Sequence, residues 1–342
     1  MRIALLAPLW KTIPPEKYGG SELVVANLAK GLVKLGHTVT TFACAGSQVE
    51  GELVTVIPKS IYELKGGFDW NGIQPYEFLS YFALAKRKSD FDVVHNHMGI
   101  HPVALAPLLP VPMVTTLHSS LPPDFPSLAD AFRFSPYVSI SDAQRALAPD
   151  LNYVGTVHHG IDVASFAPRY EGSGKGFVFL GTLSPQKGID IAIRTSQALG
   201  IPLTIAGEVR TSDQDFLEKE VFPHVDGKMI RFINEIGPIE KARLLKEADA
   251  LLFPSRWQEA FGLVMIEAMA CGTPVVALAN GAAPEVIMPG KTGWLASDEA
   301  EFIARAKQVH EISRRTCREE AERSFDLLKM AERYQEIYQS LL

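Results

Sequence analysis

Short apolar runs rich in β-branched residues alternate along this chain with stretches of helical period. The runs fall at residues 3–7, 38–43, 93–95, 113–117 and 137–140, and again at 176–180, 203–206, 230–232, 250–253 and 274–277. They are continuously apolar, as strands are when both faces of a sheet are covered, so parallel sheets are expected. Between the first two runs, Val24, Val25, Leu28, Leu32 and Leu35 recur on one face of a helix over residues 21–35. Ser21 can cap that helix and Gly36 can end it. Strand and helix alternating through the whole length predict an α/β fold.

The pattern restarts after residues 171–176, Glu-Gly-Ser-Gly-Lys-Gly, the most linker-like stretch. A new first strand, Phe177-Val178-Phe179-Leu180, follows at once. Two Rossmann-like domains are therefore expected, residues 1–165 and 166–322, joined near 163–176. Ligands of such sheets bind beyond the carboxyl ends of the strands, so two facing parallel sheets would share an interdomain cleft. The end of the chain is amphipathic from Met330 onward, with Ala331, Tyr334, Ile337, Tyr338 and Leu341 on one side. Residues 323–342 are expected to pack back on the first domain.

The 342 residues give room for two such domains. No apolar run reaches the ~18–20 residues of a membrane-spanning helix. Residues 1–9 are too short and too weakly cationic for a signal peptide and read as a buried first strand. Three scattered cysteines, Cys44, Cys271 and Cys317, match neither a disulfide framework nor a zinc site and suit a reducing cytoplasm. The net charge of −6 disfavours nucleic acid as a partner. The small cluster Lys86-Arg87-Lys88 falls at the end of a helix expected over residues 76–88, where cations suit the helix dipole.

Candidate chemistry lies where strands end. After the first strand comes a long loop, residues 8–20, closing on Tyr18-Gly19-Gly20-Ser21-Glu22. Paired glycines let backbone N–H groups approach a ligand. The sequence there is not a G-x-G-x-x-G fingerprint, which disfavours a nicotinamide cofactor. His118 follows the apolar run at 113–117 and points beyond a strand end, where an imidazole can donate, accept or stabilise charge. His95 and His97 share one strand face, an arrangement that suits a metal, but no third ligand stands at a fixed spacing and none is expected to bind. His158 and His159 precede a turn at Gly160-Ile161-Asp162. In the second half, Lys187 and Gly188 close the first strand–helix turn, and a lysine there can neutralise a diphosphate.

The densest signal runs from Pro254 to Pro274. A strand ends, Glu259 falls in the loop, and Phe261-Gly262-Leu263-Val264 opens a helix that carries Glu267. The free N–H groups and macrodipole of a helix start suit phosphate. A carboxylate on either side suits sugar hydroxyls. The arrangement reads as a seat for a phosphorylated sugar.

These residues together resemble the retaining glycosyltransferases of family 4, which have the GT-B fold. The resemblance runs from Gly19-Gly20 through His118, Gly160-Ile161-Asp162 and Lys187-Gly188 to the E-x7-E segment of Glu259 and Glu267, and on to Pro284-Glu285 and Gly290-Lys291-Thr292-Gly293. It implies a nucleotide-sugar donor, commonly a uridine diphosphate sugar, lying mainly on the second domain. Lys187 would hold the diphosphate, and the backbone of Phe261, Gly262, Leu263 and Val264 would bind phosphate or sugar oxygens. Glu267 would take the ribose, Glu259 the sugar hydroxyls, and Asn234-Glu235-Ile236 the base. His118 and Gly20 would line the reacting face, with Tyr18 and Gly19 on the acceptor side. The resemblance implies no metal and no other cofactor, and transfer that keeps the anomeric configuration.

One departure bears on activity. The family usually carries an arginine five residues before the diphosphate lysine, and here that position is Thr182. A lost charge-assisted contact costs about 1.5–3 kcal/mol, roughly tenfold to a hundredfold in rate or binding. Arg256 or Arg210 can substitute, the donor can be held differently, or the protein can be a nucleotide-sugar-binding member with weak or lost turnover. His159 also stands where asparagine is common. A nucleotide-sugar epimerase on the same fold is the further alternative. A glycoside hydrolase fits poorly, since Glu259 and Glu267 belong to one loop–helix unit instead of facing each other across a bond.

The acceptor would be chosen by loop 8–20, residues 119–126 and the aromatic run at 76–82. Residues 1–165 carry 12 Lys+Arg against 14 Asp+Glu, which tilts the choice toward a small molecule or glycan in solution, although an apolar patch can dock peripherally on a membrane. A cytoplasmic monomer or homodimer is expected.

Overall fold

In the computed structural model, which describes residues 1–67, 72–119 and 129–342, the chain divides into two units. The first unit is Met1–Ile161 with Asp326–Leu342, and the second is Asp162–Phe325. The change of unit at 161/162 lies ahead of the linker-like stretch, and the return at 325/326 lies three residues beyond 322/323. Residues 171–176 are built into the second unit, where Gly174 and Gly176 donate N–H bonds to the Asp249 carboxylate.

Among the described residues, the first unit has a seven-stranded sheet: β1 (Arg2–Leu6), β2 (Thr38–Cys44), β3 (Glu52–Ile57), β4 (Val93–Asn96), β5 (Met113–Thr116), β6 (Tyr137–Ser139) and β7 (Tyr153–Thr156). The spatial order is β3-β2-β1-β4-β5-β6-β7, and every pairing is parallel. Its helices are α1 (Gly20–Lys34), α2 (Ile61–Lys65), α3 (Gln74–Ala85), α4 (Ala129–Phe132) and α5 (Asp142–Arg145). Helix α3 stops at Ala85, so Lys86-Arg87-Lys88 follows the helix instead of forming its last turn.

The second unit has a six-stranded sheet: β8 (Phe177–Leu180), β9 (Leu203–Ala206), β10 (Ile230–Ile233), β11 (Ala250–Phe253), β12 (Val275–Leu278) and β13 (Gly293–Ala296). The order is β10-β9-β8-β11-β12-β13, again parallel throughout. Its helices are α6 (Ile189–Leu199), α7 (Gln214–Glu220), α8 (Pro238–Glu247), α9 (Leu263–Ala270), α10 (Ala283–Val286), α11 (Glu299–Lys307) and α12 (Arg314–Ser324). Strands β8, β11 and β12 are buried along their whole length, as their continuous apolar runs require.

The last helix, α13 (Leu327–Leu341), belongs to the first unit. Leu327 N–H bonds to the Ile161 carbonyl, and Asn27 on α1 donates to the Gly160 carbonyl at 3.2 Å. Its buried Tyr334 and Tyr338 reach under the sheet to polar side chains on β4 and β5.

Both sheets reverse their strand order once, between β1 and β4 and between β8 and β11. Crevices beyond the carboxyl ends of the strands at such reversals are where open α/β sheets bind ligands. Gly19 and Gly20 follow β1, and Lys187 and Glu259 follow β8 and β11, at these reversals.

Candidate active site

In the second unit, Lys187 follows β8 and Glu259 follows its neighbour β11, so the two flank the reversal point. Lys187 Nζ donates to Glu259 Oε1, and Ser255 Oγ donates to the same oxygen at 3.0 Å. Gly188 lets the lysine turn come this close. Its φ is +71°, and a Cβ there would lie 2.0 Å from the Pro254 carbonyl oxygen at the end of β11.

The loop bearing Glu259 is braced by the segment after β12. Asn280 Nδ2 donates to the Ser255 carbonyl at 3.0 Å, Gly281 N–H to Gln258 Oε1 at 3.1 Å, and Ala282 N–H to the Glu259 carbonyl at 2.9 Å. Gly281 has a φ of +55°, and any Cβ on it would lie 2.3 Å from the Glu259 amide nitrogen. The glutamate is thus fixed by backbone contacts on both sides.

Helix α9 starts directly after Phe261 and Gly262, with Gly262 as its N-cap. The first-turn N–H groups of such a helix have no intrahelical acceptor and carry the positive end of the dipole. Glu267, one turn further on, is 2 % exposed and accepts from Lys241 Nζ on α8. Asn234, Glu235 and Ile236 emerge from β10 and lead through Gly237 into α8. Lys187, Asn234 to Ile236, Glu259, Phe261 to Val264 and Glu267 therefore gather along one edge of this sheet.

Thr182 is buried at the end of β8. The two arginines considered as replacements for a cation there are engaged elsewhere. Arg256 grips Asp190 with both guanidinium nitrogens at 2.7 Å and also donates to the Pro185 carbonyl. Arg194 shares Asp190. Burial pushes the Asp190 carboxyl upward, but the bonds from Arg256 and Arg194 outweigh it and hold the group below its ordinary range. Arg210 pairs with Glu208 at 3.1 Å.

In the first unit, Gly19 precedes α1, and the preceding loop is pinned by Lys11 Nζ, which donates to the Tyr18 carbonyl at 2.6 Å and lies over the Tyr18 and Tyr62 rings. Glu22, in the first turn of α1, is buried, and burial raises its carboxyl to about 7 against the opposing influence of Lys11. His97 and His118 leave adjacent strands, β4 and β5, and meet with His97 Nδ1 2.9 Å from His118 Nε2. The His159 ring stacks on His118 at 5.3 Å. The His95 ring packs against that of His97 at 3.9 Å, and its nitrogens meet Tyr338 OH at 2.6 Å and Thr116 Oγ1 at 2.7 Å. Burial keeps all four imidazoles neutral: His118 falls to about 4, and His95, His97 and His159 fall well below their ordinary value.

Two family models match this chain. That for glycosyl transferases group 1 covers residues 164–324, and that for Glycosyltransferase Family 4 covers residues 18–150. The chain belongs to the family 4 glycosyltransferases. Its similarity to glycogen synthase of Mycobacterium tuberculosis is 29% identity, spanning 86% of this chain and 81% of that one. A phosphatidyl-myo-inositol mannosyltransferase of Mycolicibacterium smegmatis is 28% identical over 90% of this chain and 83% of its own length. Among solved structures, AviGT4, a glycosyltransferase involved in avilamycin A biosynthesis, superposes with a TM-score of 0.75 at 27% identity, covering all of this chain and 98% of that one. HepE of Anabaena has a TM-score of 0.74 at 18% identity with both chains fully covered, a likeness of fold. The two parallel-sheet Rossmann-like units are those of a GT-B glycosyltransferase.

In the second unit two residues carry no local sequence signal: Lys241 and Gly281 come to Glu267 and Glu259 from segments remote in sequence. Of the three stretches assigned to acceptor choice, loop 8–20 is ordered around Lys11, and the aromatic run at 76–82 exposes Phe78 and Phe82. The third, 119–126, lies outside the described residues from 120 onward. Among the described residues no helix is long and apolar enough to cross a membrane.

Proposed function

We propose that this glycosyltransferase is a retaining, metal-independent hexosyltransferase. Its donor would be a nucleotide diphosphate sugar, most simply a uridine diphosphate sugar. The observation that carries this reading is the Lys187–Glu259 pair, set across the strand reversal at the start of α9. A diphosphate draws Lys187 to its oxygens, and the N-terminus of α9 adds positive charge through Phe261, Gly262, Leu263 and Val264. Glu259 is then released to accept from sugar hydroxyls while Ser255 keeps its oxygen in place. Glu267 takes the ribose, and Asn234, Glu235 and Ile236 take the base.

His118, with Gly20, would line the face on which the sugar reacts, and Tyr18 and Gly19 would meet the acceptor. The acceptor hydroxyl attacks the anomeric carbon on the side from which the diphosphate leaves, and its proton passes to the leaving oxygen. Lys187 and the helix start supply the positive charge that a metal would otherwise bring to the leaving group, so no metal is assigned. HepE, which shares the fold, is known in complex with UDP and with UDP-glucose. The two relatives named above are a glycogen synthase and a mannosyltransferase, which supports a hexosyl donor. The test is an array of nucleotide sugars and acceptors read by mass spectrometry in the presence of EDTA. A new hexosylated acceptor supports the reading, and its appearance only with added metal removes the metal-independent part.

A second reading is a donor-binding member with weak turnover. It is favoured by Thr182, whose two candidate arginine substitutes are bound to Asp190 and Glu208. Tight nucleotide-sugar binding in calorimetry, with no acceptor in the array stimulating release, is the outcome that selects it.

A further inference from the structure

We propose that Lys241 is a positioning residue of the donor site, holding the Glu267 carboxylate by one oxygen and locking the base-binding segment to the ribose contact. The inference rests on the reading of Glu267 as the ribose acceptor. Lys241 lies in the first turn of α8, its N–H bonded to the Gly237 carbonyl at 3.0 Å. The 234–236 segment therefore runs straight into the turn that carries the lysine. Helix α8 is itself anchored behind the end of α9, where Thr273 Oγ1 donates to the Leu245 carbonyl at 2.6 Å and Cys271 Sγ to the Ala242 carbonyl. The ammonium is delivered from this fixed helix to Glu267 Oε1 at 2.5 Å.

The chemistry of the pair points beyond a structural ion pair. The Glu267 side chain is 2 % exposed, and an ionised carboxylate there needs a partner. A carboxylate has about four acceptor positions, and among the described residues Lys241 is its sole hydrogen-bond donor. The remaining capacity matches the two O–H donors of a vicinal diol. Glu259 repeats the pattern: one oxygen takes a lysine and a serine, and the other is left to a ligand. Each acid of the E-x7-E segment thus has its own lysine from a different strand-end segment, Lys187 after β8 and Lys241 after β10. Sequence spacing marks the first lysine and gives no sign of the second.

The test compares Lys241→Met with Lys241→Arg, using UDP and 2′-deoxy-UDP as probes in calorimetry and the donor kinetics as a second readout. Lys241→Met is expected to weaken UDP by about tenfold or more and 2′-deoxy-UDP far less, so that the preference for the ribonucleotide collapses. KM for the donor rises with it, kcat at saturation stays within about threefold, and Lys241→Arg restores most of the preference. Equal weakening of both nucleotides, or an unchanged preference in the folded variant, overturns the proposal. Lys241→Gln replaces Lys241→Met if the latter fails to fold. Glu267→Gln separates the two levels of the argument. If it abolishes the ribose preference and Lys241→Met does not, the positioning role falls and the donor reading stands. If Glu267→Gln leaves the preference intact, both fall.

Discussion

The Nδ1 of His97 lies 2.9 Å from the Nε2 of His118, so the two rings share one proton across adjacent strand ends. Among the described residues, the nitrogens facing away from this bond, His97 Nε2 and His118 Nδ1, are buried without a hydrogen-bond partner. Either His97 donates, leaving His118 Nδ1–H as a donor, or His118 donates, leaving its Nδ1 as an acceptor. The pair can offer its outer nitrogen in either role without taking on charge.

Stability should carry the mark of these neutral rings. An imidazole whose folded value is depressed is destabilising in acid: between about 6.5 and 4 the unfolded chain binds the proton that His118 refuses. His95, His97 and His159 act in the same direction. Urea unfolding midpoints should therefore fall as pH drops from 7 to 5, above the range where ordinary carboxylates titrate. Replacing His97 with Phe should flatten this slope, and an unchanged slope would count against the neutral pair.

Glu22 works with the opposite sign. Its carboxyl is raised to about 7 by burial, so the stability it allows is full below about 4.5 and is lost as pH rises through 7. Glu22→Gln should leave stability nearly unchanged at pH 5. At pH 8 it should add on the order of 3 kcal/mol. Denaturant titrations at the two pH values check this, and an equal effect at both would refute it.

Gly281→Ala tests the brace behind Glu259. The substitution places a methyl against the Glu259 backbone at a positive φ. It should cost about 1–3 kcal/mol of stability and lower turnover further by moving the carboxylate. Thermal unfolding together with donor kinetics measures both, and a variant with parental melting and parental kcat would show that the contact is dispensable.

The parts of the fold legible in sequence follow burial. Central strands such as β8, β11 and β12 are covered on both faces and appear as continuous apolar runs. The three strands not anticipated, β3, β7 and β13, all lie at sheet edges. They are only partly buried, and β7 and β13 each include a glycine, so neither run length nor composition separates them from loops. The candidate residues of each unit divide in the same way. Lys187, Glu259, Glu267 and His118 stand at strand ends and a helix start, which local pattern reveals. Lys241 and Gly281 gain their meaning only from what the folded chain brings beside them. Arg256, one of the two arginines that could replace the missing cation, is claimed by Asp190, an aspartate that showed no motif.

The division of labour between Glu259 and the rest of the seat is the core of this account. Its most direct test is Glu259→Gln, with nucleoside diphosphate affinity measured by calorimetry and donor turnover measured on the same sample. Turnover should fall by about a hundredfold or more while the affinity for UDP stays within about threefold, because on the proposed reading the carboxylate would meet the sugar and the nucleotide would be held by Lys187, α9 and Glu267. Equal losses in binding and turnover, or a variant as active as the parent, would contradict it.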